Sequence, residues 1–178
     1  MTHQTINREK LYTGPVFDVD KVYLQLPDGR ERVYDLVEHG GSVTIVPVDD
    51  EDKIYFVTQY RVGADECLLE LPAGVLEKGE EPLVSAEREI REEIGMGARE
   101  ITSLGSFYLA PGYTTEYMTI FLARGLYPSP LDPDEDEFLE IVSMPIDAVY
   151  QKAFSGEIQD GKTLAALLLA LPHIKVGE

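Results

Sequence analysis

Residues 74–96 read GVLEKGEEPLVSAEREIREEIGM, and the second half of this stretch has the grammar of a helix. Pro82 suits a first turn, where a missing N–H leaves no bond unmade, and Gly95 suits the stop. Between them Leu83, Ala86, Ile90 and Ile94 recur at three- and four-residue spacing, which predicts one buried stripe. Glu89 and Glu93 stand four apart and Glu92 three from Glu89, so the three carboxylates share a neighbouring face. Like charges so placed destabilise a helix by about 0.2–0.5 kcal/mol per pair. A hard divalent cation removes that penalty, because Mg²⁺ takes carboxylate oxygens together with phosphates and water. Arg88, four residues before Glu92, is placed to hold part of the acidic face. A solvated acidic surface is the plainer reading of any Glu-rich helix. Against it stands Pro72-Ala73-Gly74, a tight turn able to aim the Ala73 carbonyl at the same cation, and a loop framed by Gly74 and Gly79.

Outward from this stretch, composition sets bounds. The 178 residues suffice for one domain with a full core and a small appendage, and a hydrophobic share of 44% is ordinary for a globular protein. A net charge of −18, from 33 acidic and 15 basic residues, argues against nucleic acid or an anionic membrane as partner. It also sets a repulsive field against any phosphate-bearing substrate, which a metal ion and local arginines would have to offset. The single Cys67 excludes an intrachain disulfide and is expected to pack within a strand. The amino end lacks the apolar core of a signal peptide, and the longest apolar run, residues 164–171, is too short to span a bilayer. A cytoplasmic protein is expected. His3, His39 and His173 are scattered without ligand spacing.

Strand signals flank the helix on both sides. Val22, Leu24 and Leu26 alternate before the turn Pro27-Asp28-Gly29, and residues 33–37 return, predicting a hairpin over 20–37. His39-Gly40-Gly41 breaks the pattern and marks a boundary between residues 1–39 and 40–178. Residues 42–48 and 54–60 read as strands joined by an acidic turn, and 68–71 as a short strand leading into the motif. Residues 101–109, 117–124 and 137–142 read as further strands, with helical character over 146–154 and 163–171. Such an order of strands and helices predicts an α/β layered fold.

The fixed positions of residues 74–96 are Gly74, Glu80, Arg88-Glu89-Ile90, Glu92-Glu93, Gly95 and Met96. They match throughout the signature GX5EX7REUXEEXGU of the Nudix hydrolases, with U an apolar residue, and the chain resembles that family. The resemblance implies an α/β/α sandwich with a mixed central sheet over about residues 40–178, and a metal-dependent pyrophosphohydrolase that cuts a nucleoside diphosphate linked to a further group. It implies one to three Mg²⁺ ions, replaceable by Mn²⁺, held by Glu89, Glu92 and Glu93 with the Ala73 carbonyl. Arg88 and Glu80 would support the acidic helix and its loop.

Outlying segments are similar to the ADP-ribose pyrophosphatase branch. Pro111 lies fifteen residues past Met96, Gln59-Tyr60-Arg61 precedes the motif, Glu70-Leu71-Pro72-Ala73-Gly74 leads into it, and Asp160-Gly161-Lys162-Thr163 opens the last apolar helix. Their likeness implies cleavage of ADP-ribose to AMP and ribose 5-phosphate. It also implies an amino-terminal β unit, residues 1–39, that helps form a homodimer and reaches the substrate. An acidic loop after the proline supplies the general base in such enzymes; by that resemblance Glu135, within 134–137, takes the role and Glu137 is a further metal ligand. The same run also reads as a plain acidic loop. Arg61 offers paired donors to a substrate phosphate or to a surface carboxylate, and Glu116 is placed for the terminal ribose or for capping a strand. Another nucleotide sugar such as GDP-mannose, and a non-catalytic nucleotide-sensing module, are the rival readings.

Overall fold

Alternation and turn chemistry build the amino-terminal sheet. Strands β2 (Phe17–Gln25) and β3 (Glu31–His39) pair antiparallel, with Val22 opposite Tyr34 and Leu24 opposite Arg32. The turn between them closes by Gly29 N–H donating to the Leu26 carbonyl at 2.9 Å, with Gly29 at φ +86°, a conformation a side chain disfavours. The computed structural model describes residues 2–132 and 138–174. It adds a strand that the sequence pattern does not reveal: β1 (Gln4–Thr13) lies antiparallel on β2 and is exposed along its whole length. Residues 107–118 belong to the same compact unit, Met1–Gly41 with Phe107–Met118. They attach through β3: Val37 N–H donates to the Tyr113 carbonyl at 2.8 Å, Thr115 N–H to the Val37 carbonyl at 3.0 Å, and His39 N–H to Thr115 Oγ1 at 2.9 Å.

The second unit comprises Ser42–Ser106 and Thr119–Glu178. Its strands are β4 (Ser42–Pro47), β5 (Lys53–Arg61), β6 (Glu66–Glu70), β7 (Ala73–Val75), β8 (Met96–Tyr108), β9 (Tyr117–Pro128) and β10 (Glu140–Pro145). Its helices are α1 (Pro82–Ile94), α2 (Ile146–Ser155) and α3 (Gly161–Ala170). One sheet is mixed, in the order β7-β4-β9-β8, and the other is antiparallel, β10-β5-β6. With the separate amino-terminal sheet, this is an α/β architecture.

Every residue of β4 is buried, which requires cover on both faces of the strand. Val43 and Ile45 face α1 and cluster there with Val57, Ala86, Ile90, Ile94, Phe121 and Ala123. The alternate residues, Thr44 and Val46, point to the opposite face, and α3 also packs on β4. The acidic helix is therefore fixed by apolar burial on one side of a sandwich. One expected stripe residue departs from this: Leu83 is 44% exposed, because the first turn lies outside the apolar cluster that covers Ala86, Ile90 and Ile94. Cys67 lies in β6 as expected, yet it is exposed rather than packed.

Helix α1 begins with Pro82 in its first turn and ends at Gly95, which adopts φ +69° and donates its N–H to the Ile90 carbonyl. A methyl at Gly95 would meet only Pro130 Cβ at 3.7 Å, so the left-handed backbone alone penalises a side chain. Gly95→Ala is expected to lower stability by about 1–2 kcal/mol, readable as a reduced urea midpoint with an unchanged denaturant slope.

Candidate active site

Strand β7 carries the turn that meets the acidic helix. Pairing with β4 sets Val43 opposite Gly74 and Thr44 opposite Ala73, and the Pro72 carbonyl accepts from Ile45 N–H at 2.9 Å. Ala73 N–H donates to Glu93 Oε2 at 3.0 Å. The Glu89 carboxylate lies against Gly74 so closely that a Cβ there would overlap it. Glu89 and Glu93 are both buried. Two buried carboxylates four residues apart, both packed on one backbone turn, are poor design for stability alone.

Arg88 holds this negative charge together. Its Nη1 donates to Glu89 Oε1 at 2.6 Å and to Glu92 Oε2 at 2.8 Å; its Nε and Nη2 each reach Glu80 at 3.1 Å, and Nη2 also reaches Ser85 Oγ at 3.2 Å. Glu80 in turn accepts from Glu77 N–H at 2.9 Å, so a single guanidinium ties the loop to the helix. The hydrogen bond from Arg88 holds the Glu80 carboxyl below the usual carboxylate range. The Glu80 bond, opposed by burial and aided by Glu89 and Glu92, keeps Arg88 firmly charged.

Among the described residues, no three His, Cys, Asp or Glu side chains stand in an arrangement that could hold a metal ion directly. Glu89 and Glu92 turn to Arg88, and Glu93 to the Ala73 amide. The donor set nonetheless fits a hard cation. The acidic side chains offer oxygen ligands only, the Ala73 carbonyl is on the turn beside them, and glycine at 74 leaves room for a carboxylate to lie on the backbone. A cleft of about 260 Å³ opens beside Glu92 and Glu93, lined also by Pro130, Leu139 and Ile141. The predicted base Glu135 and ligand Glu137 lie outside the described residues.

Arg61 and Glu70 form one ionic group. Arg61 Nε and Nη2 donate to Glu70 at 2.7 and 2.6 Å, and Lys162 Nζ donates to the same Glu70 Oε2. Lys162 also pairs with Asp160 at 3.1 Å, the residue that caps α3 by accepting from Thr163 N–H at 2.9 Å. Thr163 Oγ1 accepts from Leu71 N–H at 2.9 Å, joining α3 to the segment that leads into the motif turn. The sequence pattern gives Lys162 no role, because its partner Glu70 stands 92 residues away. Burial opposes ionisation of Glu70, but the Arg61 bond and the Lys162 charge outweigh it, and its pKa falls below the ordinary value. A carboxylate of depressed pKa adds stability that is complete above the unfolded-chain value, about 4.3, and is lost as pH falls through the folded one. The gap in melting temperature between wild type and Glu70→Gln should therefore be constant near neutrality and shrink below about pH 4. A gap that widened with acidification would contradict the assignment.

Pro111 and Glu116 are carried by the segment bound to β3, where Leu109 N–H donates to the Glu116 carbonyl at 3.2 Å and Glu116 N–H to Thr114 Oγ1 at 3.2 Å. They thus belong to the amino-terminal unit and not to the unit holding the acidic helix.

Three comparisons bear on this arrangement. A family model described as the NUDIX domain matches residues 38–167. The ADP-ribose pyrophosphatase of Bacillus subtilis is 36% identical over 94% of this chain and 91% of its own length. The methanol dehydrogenase activator of Bacillus methanolicus is 34% identical over 92% and 90%. A crystal structure of an ADP compounds hydrolase superposes with a TM-score of 0.86 at 30% identity, covering 97% of this chain and 94% of that one.

Proposed function

This chain belongs to the Nudix family of pyrophosphohydrolases, and from that premise we propose that it hydrolyses ADP-ribose to AMP and ribose 5-phosphate with Mg²⁺, or Mn²⁺ in its place. The observation that carries the reading is the pair of buried carboxylates, Glu89 and Glu93, packed on the Ala73-Gly74 turn. Those two residues, with Glu92, the Ala73 carbonyl and Glu137, would hold the cation. Bound there, a divalent cation supplies neutralisation of the pyrophosphate charge and a more acidic water.

The chain's own groups do the rest. Arg88 keeps Glu89 and Glu92 in register before substrate arrives, and the Ala73 amide does the same for Glu93. Glu135 accepts the proton of the attacking water. A new P–O bond forms to the water oxygen while the bridging P–O bond breaks, and the departing oxygen stays on the other phosphate. Arg61, held by Glu70 until substrate arrives, then turns to bind a phosphate oxygen. Pro111 and Glu116 are assigned to substrate binding, Glu116 to the terminal ribose. We assign residues 1–39 to a homodimer contact and to substrate, residues 40–178 to catalysis, and the protein to the cytoplasm, with no nucleic acid or membrane as partner. Among the described residues no helix is long and apolar enough to cross a membrane.

Two rival readings have a direct test. Purified protein is incubated with Mg²⁺ and ADP-ribose or GDP-mannose, and products are resolved by chromatography. The expected result is AMP from ADP-ribose with kcat/KM at least about tenfold above GDP-mannose, a gap of about 1.4 kcal/mol in transition-state binding. Preference for GDP-mannose would keep the chemistry and overturn the substrate. Binding without turnover of either would favour a regulatory module, the alternative suggested by the relative named as an activator.

A further inference from the structure

We propose that Lys162 is a reserve counter-ion for Glu70, whose presence lets Arg61 turn from Glu70 to a phosphate oxygen of the substrate without leaving a buried carboxylate uncompensated. The inference rests on the ADP-ribose reading above and adds a positioning residue to it. Glu70 is 1% exposed and holds two cations on one oxygen, Arg61 Nη2 and Lys162 Nζ. One carboxylate needs only one of them. The two cations differ in mobility: Lys162 is 12% exposed and pinned between Glu70 and Asp160, whereas Arg61 is 40% exposed at the end of β5.

Arg61 also feels the charges of Asp160 and of Glu93, which places its guanidinium in the field of the acidic helix. The more exposed cation, which senses a carboxylate that would hold the metal, is thus the one able to leave. The less exposed one remains behind. Without Lys162, departure of Arg61 would strand a buried negative charge beside Asp160, and a desolvated carboxylate holds its last partner tightly. Lys162 therefore acts through Arg61 and touches no substrate. Its loss should weaken substrate binding far more than the chemical step, because its partners are Glu70 and Asp160 rather than the acidic helix, the Ala73 turn or Arg88.

The test is steady-state kinetics on ADP-ribose with Mg²⁺ for wild type, K162M, K162R and the double variant K162M/E70Q, each with a melting curve. K162M should raise KM about tenfold, a loss of about 1.4 kcal/mol in binding, with kcat within about twofold of wild type. K162R, which retains the charge, should keep KM near the wild-type value. In K162M/E70Q the neutral amide at position 70 no longer restrains Arg61, so KM should return toward wild type, and this variant also avoids a buried unpaired charge if K162M alone folds poorly. A purely structural lysine gives another pattern: K162M lowers kcat and melting temperature together, and adding E70Q does not restore KM. That pattern, or an unchanged KM in folded K162M, overturns the proposal while leaving ADP-ribose hydrolysis standing. Wild-type protein inert on ADP-ribose would overturn both.

Discussion

Glu93→Gln is expected to lower ADP-ribose turnover by about two to four orders of magnitude while leaving the melting temperature close to wild type. The amide is isosteric with the carboxylate, and its oxygen still accepts the Ala73 N–H that Glu93 Oε2 accepts at 3.0 Å, so the turn keeps its anchor. What disappears is a buried negative charge next to Glu89 and Glu92. On the proposed metal-site assignment, losing one anionic ligand would forfeit several kcal/mol of transition-state stabilisation, and each 1.36 kcal/mol is tenfold in rate. Removing a buried like charge gives something back to the fold, since the helix no longer crowds two carboxylates against one turn. Loss of activity with retained or raised stability is the signature of a functional cluster. Loss of both would mark Glu93 as structural, and unchanged kinetics would refute the metal-site assignment.

Gly74→Ala should reduce kcat by about a hundredfold, although the substitution itself removes no ligand atom. The backbone at Gly74 does not adopt the left-handed conformation reserved for glycine, so alanine is conformationally acceptable there. The obstacle is Glu89: the new methyl would occupy the space of its carboxylate. Glu89 must then swing away, taking with it one of the oxygens that Arg88 Nη1 holds. A displacement of about 1 Å in a positioned group is enough to account for a hundredfold loss. Stability should fall by about 1–3 kcal/mol, the usual penalty of overfilling a packed site, so kcat is to be measured well below the melting transition. Full activity in Gly74→Ala would show that the Glu89 position is not part of the chemistry.

The acidic helix is legible in the sequence almost to the residue, because its punctuation is local. Pro82 opens it and Gly95 closes it, and the apolar spacing of Ala86, Ile90 and Ile94 fixes which side is buried. The 20–37 hairpin is readable for the same reason: its turn and its alternation lie within a few residues of each other. Strand β1 is not readable. All ten of its residues are exposed, so neither face has the hydrophobic alternation that a half-buried strand displays. Leu83 shows the converse error, where helical spacing is right but the first turn extends past the core. Cys67 likewise has strand surroundings without the burial expected of it.

The site divides along the same line. Glu89, Glu92, Glu93 and Arg88 sit within six residues, and a signature can hold them. The group made by Arg61, Glu70 and Lys162 spans 92 residues between Glu70 and Lys162, a pairing that arises only once α3 packs against β4. The placement of Pro111 and Glu116 is likewise non-local. Backbone bonds from Val37 and Thr115 carry that segment into the amino-terminal unit, although its sequence neighbours on both sides belong to the other.

Uptake of Mn²⁺ followed by electron paramagnetic resonance, on wild type and on Glu93→Gln, tests most directly whether the acidic helix is a metal site. Wild type should quench the free Mn²⁺ signal saturably, Mg²⁺ should restore it by competition, and Glu93→Gln should bind at least about tenfold more weakly. Identical titrations for the two proteins would contradict the account at its centre.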